Sequence, residues 1–286
     1  MLPLTHNDYF TTTGHGKDWT VKLKSITSKS GSWYEESIRS AQIINDIADS
    51  QLTLLFSGGL DSEYMVNIFK QANIDFKVAI ISYGKYNTHD NAYAFSYCDK
   101  NNIEPIVVDI DIEKFIESGK IFEVANEAKC CAYQIPSIMY GVAKLDGTVI
   151  MANGEPYVKN FNGDWRWEET ERVNSYMNWF TAKGINGTPD FLRYTPEMTL
   201  SFLMEPRVIQ LVNNEHPGKL STRTSKHLIF SQKMELEKRP KYTGWEKIEN
   251  TNFMSEINTE FNLLKTKYNG VFELGYNDLV EALSKY

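Results

Sequence analysis

One short segment constrains the fold of this chain more than any other. An apolar run, LTLLF at residues 52–56, leads directly into the string SGGLDS at residues 57–62, and residues 63–72 then follow a helical pattern. A buried strand, a glycine-rich turn and a helix start in this order are typical of an anion cradle, because the first turn of a helix offers unpaired N–H groups and a partial positive charge. The segment therefore predicts a phosphate-binding loop at the end of a buried strand.

The residues of this loop have different predicted tasks. Gly58 and Gly59 let the backbone turn tightly and approach an anion. Ser57 and Ser62 add hydroxyl donors, and a carboxylate at Asp61 is explained by a bridging Mg²⁺ or by a role in shaping the loop. The alternative is a serine-rich turn without a ligand. We expect the phosphate contacts to come from the whole string, which is Ser57, Gly58, Gly59, Leu60, Asp61 and Ser62, with Asp61 as the metal ligand.

Strands and helices alternate along residues 34–160. Apolar segments at 77–82, 106–109 and 148–152 predict further strands, and the segments between them have helical spacing. Strands of nearly continuous apolar residues that alternate with helices predict an α/β fold, a parallel twisted sheet with helices on both faces. Ligands of such sheets bind beyond the carboxyl ends of the strands. Both SGGLDS and Ser82 fall at strand ends, so we expect a nucleotide site there, with Ser82 as a further contact.

The chain has 286 residues, of which 42% are hydrophobic, and this is enough for a globular core. We expect three parts. Residues 1–33 form an N-terminal extension, and residues 34–160 form the nucleotide-binding core. Residues 161–286 form a mostly helical region on the substrate side that packs on the core rather than folding independently, and within it NFNGDWRW at residues 160–167 predicts a hairpin.

The charge and the cysteines exclude several classes of protein. A net charge of −7 argues against broad nucleic-acid binding, although residues 219–247 hold eight Lys and Arg against three Glu and leave a basic surface open. No apolar run is long enough to span a membrane. The three cysteines, Cys98, Cys130 and Cys131, have neither zinc nor redox spacing, so a reducing, cytoplasmic setting is expected.

The string SGGLDS resembles the signature of the PP-loop ATP pyrophosphatases, a superfamily that includes asparagine synthetase, β-lactam synthetase and NAD synthetase. The resemblance implies an adenine nucleotide alpha-hydrolase-like fold with ATP and Mg²⁺ as ligands. It implies cleavage of ATP between the α and β phosphates, with transfer of AMP to an oxygen of the substrate and release of pyrophosphate from the loop. It also implies recognition of adenine by the backbone at the end of the second strand, here residues 81–83.

The segment ending in Asn153-Gly154-Glu155 is similar to an asparagine synthetase segment, and there Glu155 falls on a glutamate tied to the catalytic lysine. The sequence then departs from that family, because Val158 stands where the family has a metal-binding aspartate. The resemblance therefore implies a metal arrangement that is different or poorer. The alternative for Glu155 is a helix or turn cap.

A later segment, Lys238-Arg239-Pro240-Lys241, resembles the lysine segment of asparagine and β-lactam synthetases. The resemblance implies that Lys241, with Arg239, stabilises the charge that develops on the α-phosphate and the carbonyl oxygen. A solvated basic turn is the alternative. Lys226 and Arg223 are reserve candidates for phosphate contact.

Three functions are compatible with these features. The first is an ATP-dependent, AMP-forming ligase that adenylates a carboxylate or carbonyl oxygen of a small molecule, after which a nitrogen nucleophile attacks. Residue 2 is Leu rather than the cysteine nucleophile of a glutaminase, so the nitrogen is expected from free ammonia, an amine substrate or a separate amidotransferase. The second is a PP-loop enzyme that modifies a tRNA or DNA base, and the third is a non-catalytic ATP-binding protein.

Overall fold

A computed structural model of the chain describes Leu4 and residues 9–215, 218–231, 233–236, 239–240 and 242–285. Its strands are β1 (Phe10–Thr13), β2 (Thr20–Leu23), β3 (Leu52–Leu55), β4 (Lys77–Ser82), β5 (Ile106–Asp109), β6 (Thr148–Ile150), β7 (Val158–Phe161), β8 (Asp164–Thr170), β9 (Gly187–Thr188) and β10 (Val271–Gly275). Five of these strands form a parallel sheet in the order β5-β4-β3-β6-β9. The strand that precedes the predicted loop, β3, therefore lies at the centre of the sheet.

The helices cover both faces of this sheet. They are α1 (Trp33–Ile47), α2 (Leu60–Gln71), α3 (Thr88–Lys100), α4 (Ile112–Glu117), α5 (Lys120–Glu127), α6 (Ile135–Val142), α7 (Glu171–Lys183), α8 (Pro196–Leu203), α9 (Pro206–Val212), α10 (Lys226–Phe230), α11 (Met254–Tyr268) and α12 (Tyr276–Ser284). No helix in the described part of the chain is both long and apolar enough to cross a membrane.

Neighbouring side chains of the central strands enter two separate hydrophobic clusters. Ile80 and Ile150 belong to one cluster, whereas the adjacent Ile81 and Val149 belong to the other. Successive side chains of a strand point to opposite faces, so both faces of the sheet are buried. This confirms the predicted α/β fold with a parallel, two-sided sheet, and the architecture is consistent with an adenine nucleotide alpha-hydrolase-like fold.

The region after residue 160 contains more sheet than its sequence suggests. The predicted hairpin is present as β7 and β8, and β10 extends it into a three-stranded antiparallel sheet in the order β10-β8-β7. Strand β9 joins the edge of the main sheet, with Gly187 opposite Val149. A Cβ atom on Gly187 would lie 1.9 Å from the Val149 carbonyl oxygen, so only glycine fits there. The division of the chain into three parts stays a prediction.

One predicted helix is much shorter than expected. The pattern of residues 226–236 predicts a single helix, but α10 ends at Phe230. The chain then turns back so that Met234 and Leu236 are buried in the same cluster as Phe230. His227 reinforces this turn, because its Nε2 atom lies 3.0 Å from the Leu236 carbonyl oxygen. Tertiary burial therefore overrides the local helical pattern here.

Candidate functional site

The SGGLDS segment forms a tight turn between β3 and α2. Gly58 adopts a left-handed backbone conformation with a φ of +77°, and a Cβ atom there would lie only 2.7 Å from the amide nitrogen of Ala94 on α3. Gly58 is therefore required both by its conformation and by the close approach of α3. Helix α2 begins at Leu60, three residues earlier than predicted, and its N-cap residue Gly59 provides no side-chain cap.

The two serine hydroxyls of the loop bond within the loop. The Ser57 amide donates to Ser62 Oγ at 3.2 Å, the Gly59 amide donates to Ser57 Oγ at 3.3 Å, and Ser62 Oγ donates to the Gly59 carbonyl at 3.0 Å. The amides of Leu60 and Asp61, at the start of α2, have no acceptor among the described residues. The hydroxyls therefore shape the turn, and the free amides at the helix start are the groups that can bind an anion.

A cavity of about 790 Å³ lies over this loop. Its size is in the range of small-molecule sites, which is about 300–1,000 Å³. The loop forms one end, and residues that follow β4 form the other, including Tyr83, Asn87 and Asp90. A third side is closed by Lys226 together with Arg239, Pro240, Tyr242, Thr243 and Gly244. The sheet therefore presents this cavity at the carboxyl ends of its strands, as predicted for this type of sheet.

The backbone at the end of β4, the predicted adenine contact, is already hydrogen bonded within the protein. The Tyr83 amide donates to Asn87 Oδ1 at 2.7 Å, and the side-chain amides of Asn87 and Asn91 both donate to the Ile81 carbonyl. Ser82 does not line the cavity, and its hydroxyl accepts a hydrogen bond from the Gly84 amide. The structure therefore does not bring Ser82 to the cavity.

Lys226 connects the loop to Glu155. Its Nζ atom lies 2.7 Å from Asp61 Oδ2 and 2.5 Å from Glu155 Oε2. The side chains of Lys226 and Glu155 are 14% and 8% exposed. Burial lowers the pKa of Lys226, but Glu155 and Asp61 outweigh it and raise that pKa above its ordinary value. Burial raises the pKa of Glu155 despite the attraction of Lys226. The structure thus brings the predicted Asp61 and Glu155 together through Lys226.

The same two carboxylates could hold a magnesium ion. Asp61 Oδ1 and Glu155 Oε1 are buried and have no hydrogen-bond partner among the described residues. Mg²⁺ is usually held by one or two carboxylates together with phosphate oxygens and water, so this donor set fits it. No group of three or more His, Cys, Asp or Glu suited to a metal occurs in the described part of the chain. Val158 is fully buried in the core on β7, so its position cannot supply a ligand.

Arg239 contacts the loop from the side of residues 239–244. Its Nη1 atom donates to the Gly58 carbonyl, and its Nη2 atom lies 2.5 Å from Glu63 Oε2 on α2. The side chains of Arg239 and Glu63 are both 6% exposed. Arg239 therefore holds the loop and the first turn of α2 together. Lys241, the predicted catalytic lysine, lies outside the described residues.

A second, smaller cleft of about 220 Å³ adjoins the cavity. The two spaces share four lining residues, which are Asp61, Asn153, Arg223 and Lys226. The Lys226 salt bridges therefore form the wall between them. Glu155 lines only the smaller cleft. This arrangement places one cationic Nζ atom between the space over the SGGLDS loop and a second space of a size for a small molecule.

A buried arginine sets the position of Glu155. Arg193 lies 2.8 Å from Asp190 and 2.9 Å from Glu169, and its guanidinium packs 4.0 Å from the ring centre of Phe10. A Cβ atom on Gly154 would lie 2.5 Å from Arg193 Cγ, so the backbone before Glu155 rests directly on this side chain. Arg193 is therefore a structural residue.

Sequence reasoning missed Glu63 and gave Lys226 only a reserve role. A signal for Glu63 exists in the sequence. Glu63 directly precedes the apolar string Tyr64-Met65-Val66, and such a string predicts a buried stretch of helix, in which a carboxylate needs a cationic partner. Lys226 has no comparable local signal, since its partners are 71 and 165 residues away in the sequence.

No family model matches the chain, and no curated protein matches it. Among solved structures, the chain is similar to the NH3-dependent NAD synthetase from Campylobacter jejuni subsp. jejuni NCTC 11168 in complex with the nitrate ion, with 17% sequence identity and a TM-score of 0.32. The match covers 43% of this chain and 58% of that chain, so the chain spans less than two thirds of the length of that protein. At this identity and TM-score the likeness carries no argument, and the function must be argued from the site itself.

Proposed function

We propose that this chain is an ATP-dependent, AMP-forming ligase of the PP-loop type. One observation carries the proposal. A buried lysine, Lys226, links the carboxylate of the phosphate-binding loop to Glu155, at the boundary between a nucleotide-sized cavity and a second cleft. A group-transfer enzyme needs two substrates on either side of a charge-stabilising group, and this arrangement offers both spaces and that group.

In this proposal the loop binds the β and γ phosphates of ATP. The free amides of Leu60 and Asp61 and the positive end of the α2 dipole favour these anions. Asp61 and Glu155 have the free oxygens to hold Mg²⁺ beside the phosphates. When bound, Mg²⁺ would neutralise charge on the phosphate oxygens. The nucleoside extends towards Tyr83 and Asp90, where the polar backbone groups of β4 are already occupied.

The reaction runs in two steps that share one lysine. An oxygen of the acceptor attacks the α-phosphorus, the bond from that phosphorus to the bridging oxygen of the β-phosphate breaks, and pyrophosphate leaves. A nitrogen nucleophile then attacks the activated carbon, and AMP leaves with the acceptor oxygen. Lys226 balances the negative charge that develops on the α-phosphate, a role the resemblance gives to Lys241. Removing one such donor typically costs about 10²–10³ in kcat.

Product analysis tests the proposal. The chain is incubated with Mg²⁺-ATP, a mixture of small carboxylates and hydroxylamine as the nitrogen nucleophile, and the nucleotide products are separated. We expect AMP and pyrophosphate in equal amounts, together with a hydroxamate. Formation of only ADP and inorganic phosphate would contradict the proposal, because it would place the broken bond at the γ-phosphate.

The variant Lys226→Met separates chemistry from binding. We expect pyrophosphate release to fall by about 10²–10³, because the developing charge loses its partner. We expect the affinity for ATP to change by no more than about tenfold, since the loop amides remain. Stability should fall as well, because Asp61 and Glu155 lose their shared cation. The double variant Lys226→Met/Glu155→Gln should recover part of this stability and none of the activity.

The control is Lys120→Met, which removes an exposed lysine that pairs with Glu123 on α5. It should match the wild type in pyrophosphate release and in stability. A Lys226→Met chain that releases pyrophosphate at the wild-type rate would exclude Lys226 from the chemistry.

Two other functions keep a specific observation in their favour. A non-catalytic ATP-binding protein is favoured by the buried Val158, which leaves the site without the metal ligand of the resembled family. Modification of a nucleic-acid base is favoured by the basic run of residues 219–247, although Lys226 and Arg239 in that run already contact carboxylates. ATP binding without turnover would support the first, and salt-sensitive binding of RNA or DNA would support the second.

A further inference from the structure

The smaller cleft contains both acidic and basic side chains, and all of its acidic side chains have cationic partners. Glu155 and Asp61 contact Lys226. Glu168 contacts Lys159, and Glu169 lies 2.9 Å from Arg193. Every carboxylate that lines the cleft is therefore in direct contact with a cation of the protein.

Two arginines line the same cleft without a carboxylate in contact. Arg172, on the first turn of α7, and Arg223, just before α10, form no hydrogen bond or ion pair through their guanidinium groups among the described residues. Arg223 instead stacks over the ring of Tyr157, with its guanidinium carbon 4.1 Å from the ring centre. A guanidinium presents a planar fork of N–H donors that matches a carboxylate or phosphate, so these two groups have unused capacity for an anion.

A separate observation also points to a ligand in this cleft. Glu155 lines it, its side chain is only 8% exposed, and its Oε1 atom has no hydrogen-bond partner among the described residues. A buried carboxylate oxygen without a partner costs free energy unless something donates to it. The cleft thus contains a buried carboxylate oxygen without a donor and two guanidinium groups without a carboxylate partner among the described residues.

We propose that this cleft is the acceptor site, and that it selects a small molecule with an anionic group besides the oxygen that is adenylated. Arg172 and Arg223 bind that second group, which is a carboxylate or a phosphate. The free Glu155 Oε1 atom accepts a hydrogen bond from a donor of the same molecule or binds the metal ion. The volume of about 220 Å³ suits the reacting part of a small metabolite. This inference rests on the proposed function only in calling the bound molecule the acceptor.

The experiment measures anion binding by calorimetry, without turnover. The probes are dicarboxylates of three to six carbons and phosphonocarboxylates of matched length, each compared with its monoamide. A saturating non-hydrolysable ATP analogue occupies the phosphate-binding loop, so that a probe cannot bind there. We expect at least one dianion to bind about tenfold more tightly than its monoamide. Carboxylate or phosphonate selectivity then identifies which anion the cleft takes.

The variant Arg172→Ala carries the decisive comparison, because Arg172 lines the smaller cleft and not the cavity over the loop. It should weaken binding of the selected dianion about tenfold or more and leave ATP-analogue affinity unchanged. Arg207→Ala, on α9 with Gln210 as its hydrogen-bond partner, is the matched control and should bind like the wild type.

Equal affinity of every dianion and its monoamide, or equal binding by Arg172→Ala and the wild type, would overturn the inference. These outcomes are distinct from a failure of the proposed function. If the ATP analogue does not bind at all, the ligase proposal fails, whereas the comparison of Arg172→Ala with the wild type still reports on the smaller cleft, because Arg172 lines that cleft and does not line the larger cavity.

Discussion

The SGGLDS loop and the wall between the two spaces are built in different ways. The turn of the loop is shaped locally, because the hydrogen bonds of its serine hydroxyls join residues no more than five positions apart, such as Ser57 and Ser62. The wall consists of the Lys226 salt bridges to Asp61 and Glu155. These salt bridges and the Arg239 contact to Gly58 reach across 71 to 181 positions of the sequence. The loop can therefore be recognised from a short string, whereas the wall exists only in the folded chain.

The difference extends to electrostatics. The loop offers backbone amides and a helix dipole, which need no charged side chain. The wall depends on charges that are buried together, where each partner compensates the burial of the other. Loss of one side chain should thus be tolerated differently in the two regions. In the wall, loss of one side chain leaves a buried charge without compensation. In the loop, a substitution changes binding only where it forces the backbone to move.

The largest expected effect is at Arg239, the other long-range contact of the loop. Arg239→Met removes the buried ion pair between Arg239 and Glu63, which should lower the free energy of unfolding by about 3–5 kcal/mol. Glu63→Gln in the same chain removes the uncompensated charge. The double variant should therefore be more stable than the sum of the single variants predicts, with a coupling of about 1–3 kcal/mol in urea unfolding.

This cycle also separates two roles for Arg239. A residue that holds the loop should weaken ATP binding and leave kcat nearly unchanged at saturating ATP. Additive stabilities, together with a loss confined to kcat, would show instead that Arg239 acts on the reacting phosphate, the role that its resemblance to the lysine segment implies.

An intermediate effect is expected in the loop. Gly58→Ala puts a Cβ atom into a left-handed conformation and 2.7 Å from the Ala94 amide. The turn must shift, and ATP affinity should fall by about 30-fold or more, which corresponds to about 2 kcal/mol.

Gly119→Ala is the matched control, because Gly119 has a nearly equal φ of +74° and nothing within 4 Å of the added carbon. It should cost about 1–2 kcal/mol of stability and leave ATP affinity as it is. If both variants bind ATP alike, the close approach of α3 does not shape the phosphate site.

The smallest effect is expected at the far end of the cavity. Burial and the nearby Glu246 raise the pKa of Asp90 from 3.8 to about 6. The unfolded chain therefore loses this proton at a lower pH than the folded chain does. As the pH rises from 3.8 to about 6, ionisation of Asp90 increasingly lowers the free energy of unfolding, and this loss is complete above pH 6. Asp90→Asn should raise Tm by roughly 1–2 °C at pH 8, after allowance for partial exposure, and by less as the pH is lowered towards about 4.

Thermal unfolding at several pH values measures this, with Asp99→Asn on the exposed part of the same helix as the control. A gain at pH 8 that persists unchanged at pH 4.5 would contradict the pKa argument. It would show that Asn stabilises α3 for a reason unrelated to ionisation.

The sequence predicts the features of this fold that depend on local signals, and it does not predict those that depend on contacts between distant residues. Strands β4 and β5 and helix α8 begin and end where their patterns predict, because continuous apolar runs and a Thr195-Pro196 helix start are local signals. Strand β9 has two residues and depends on a neighbour 38 positions earlier, so no pattern in its own sequence could predict it.

The candidate site divides in the same way. The position of Asp61 and the glycines follows from six adjacent residues. The sequence assigns the hydroxyls of Ser57 and Ser62 to phosphate, whereas they bond within the turn. It also places Ser82 at the ligand, but Asn87 and Asn91 take the polar groups of that strand end and Ser82 turns to Gly84. Such competition between partners depends on packing and has no local signature.

The central claim is that the amides at the start of α2 bind the terminal phosphates of ATP while Lys226 faces the α-phosphate. The most direct measurement is a crystal structure with Mg²⁺ and an ATP analogue that has a methylene bridge between the α and β phosphorus atoms. We expect the β and γ phosphates within hydrogen-bond distance of the Leu60 and Asp61 amides and the α-phosphate next to Lys226 Nζ. Phosphates bound elsewhere, or a loop that stays closed on its own hydroxyls with no nucleotide in the cavity, would contradict it.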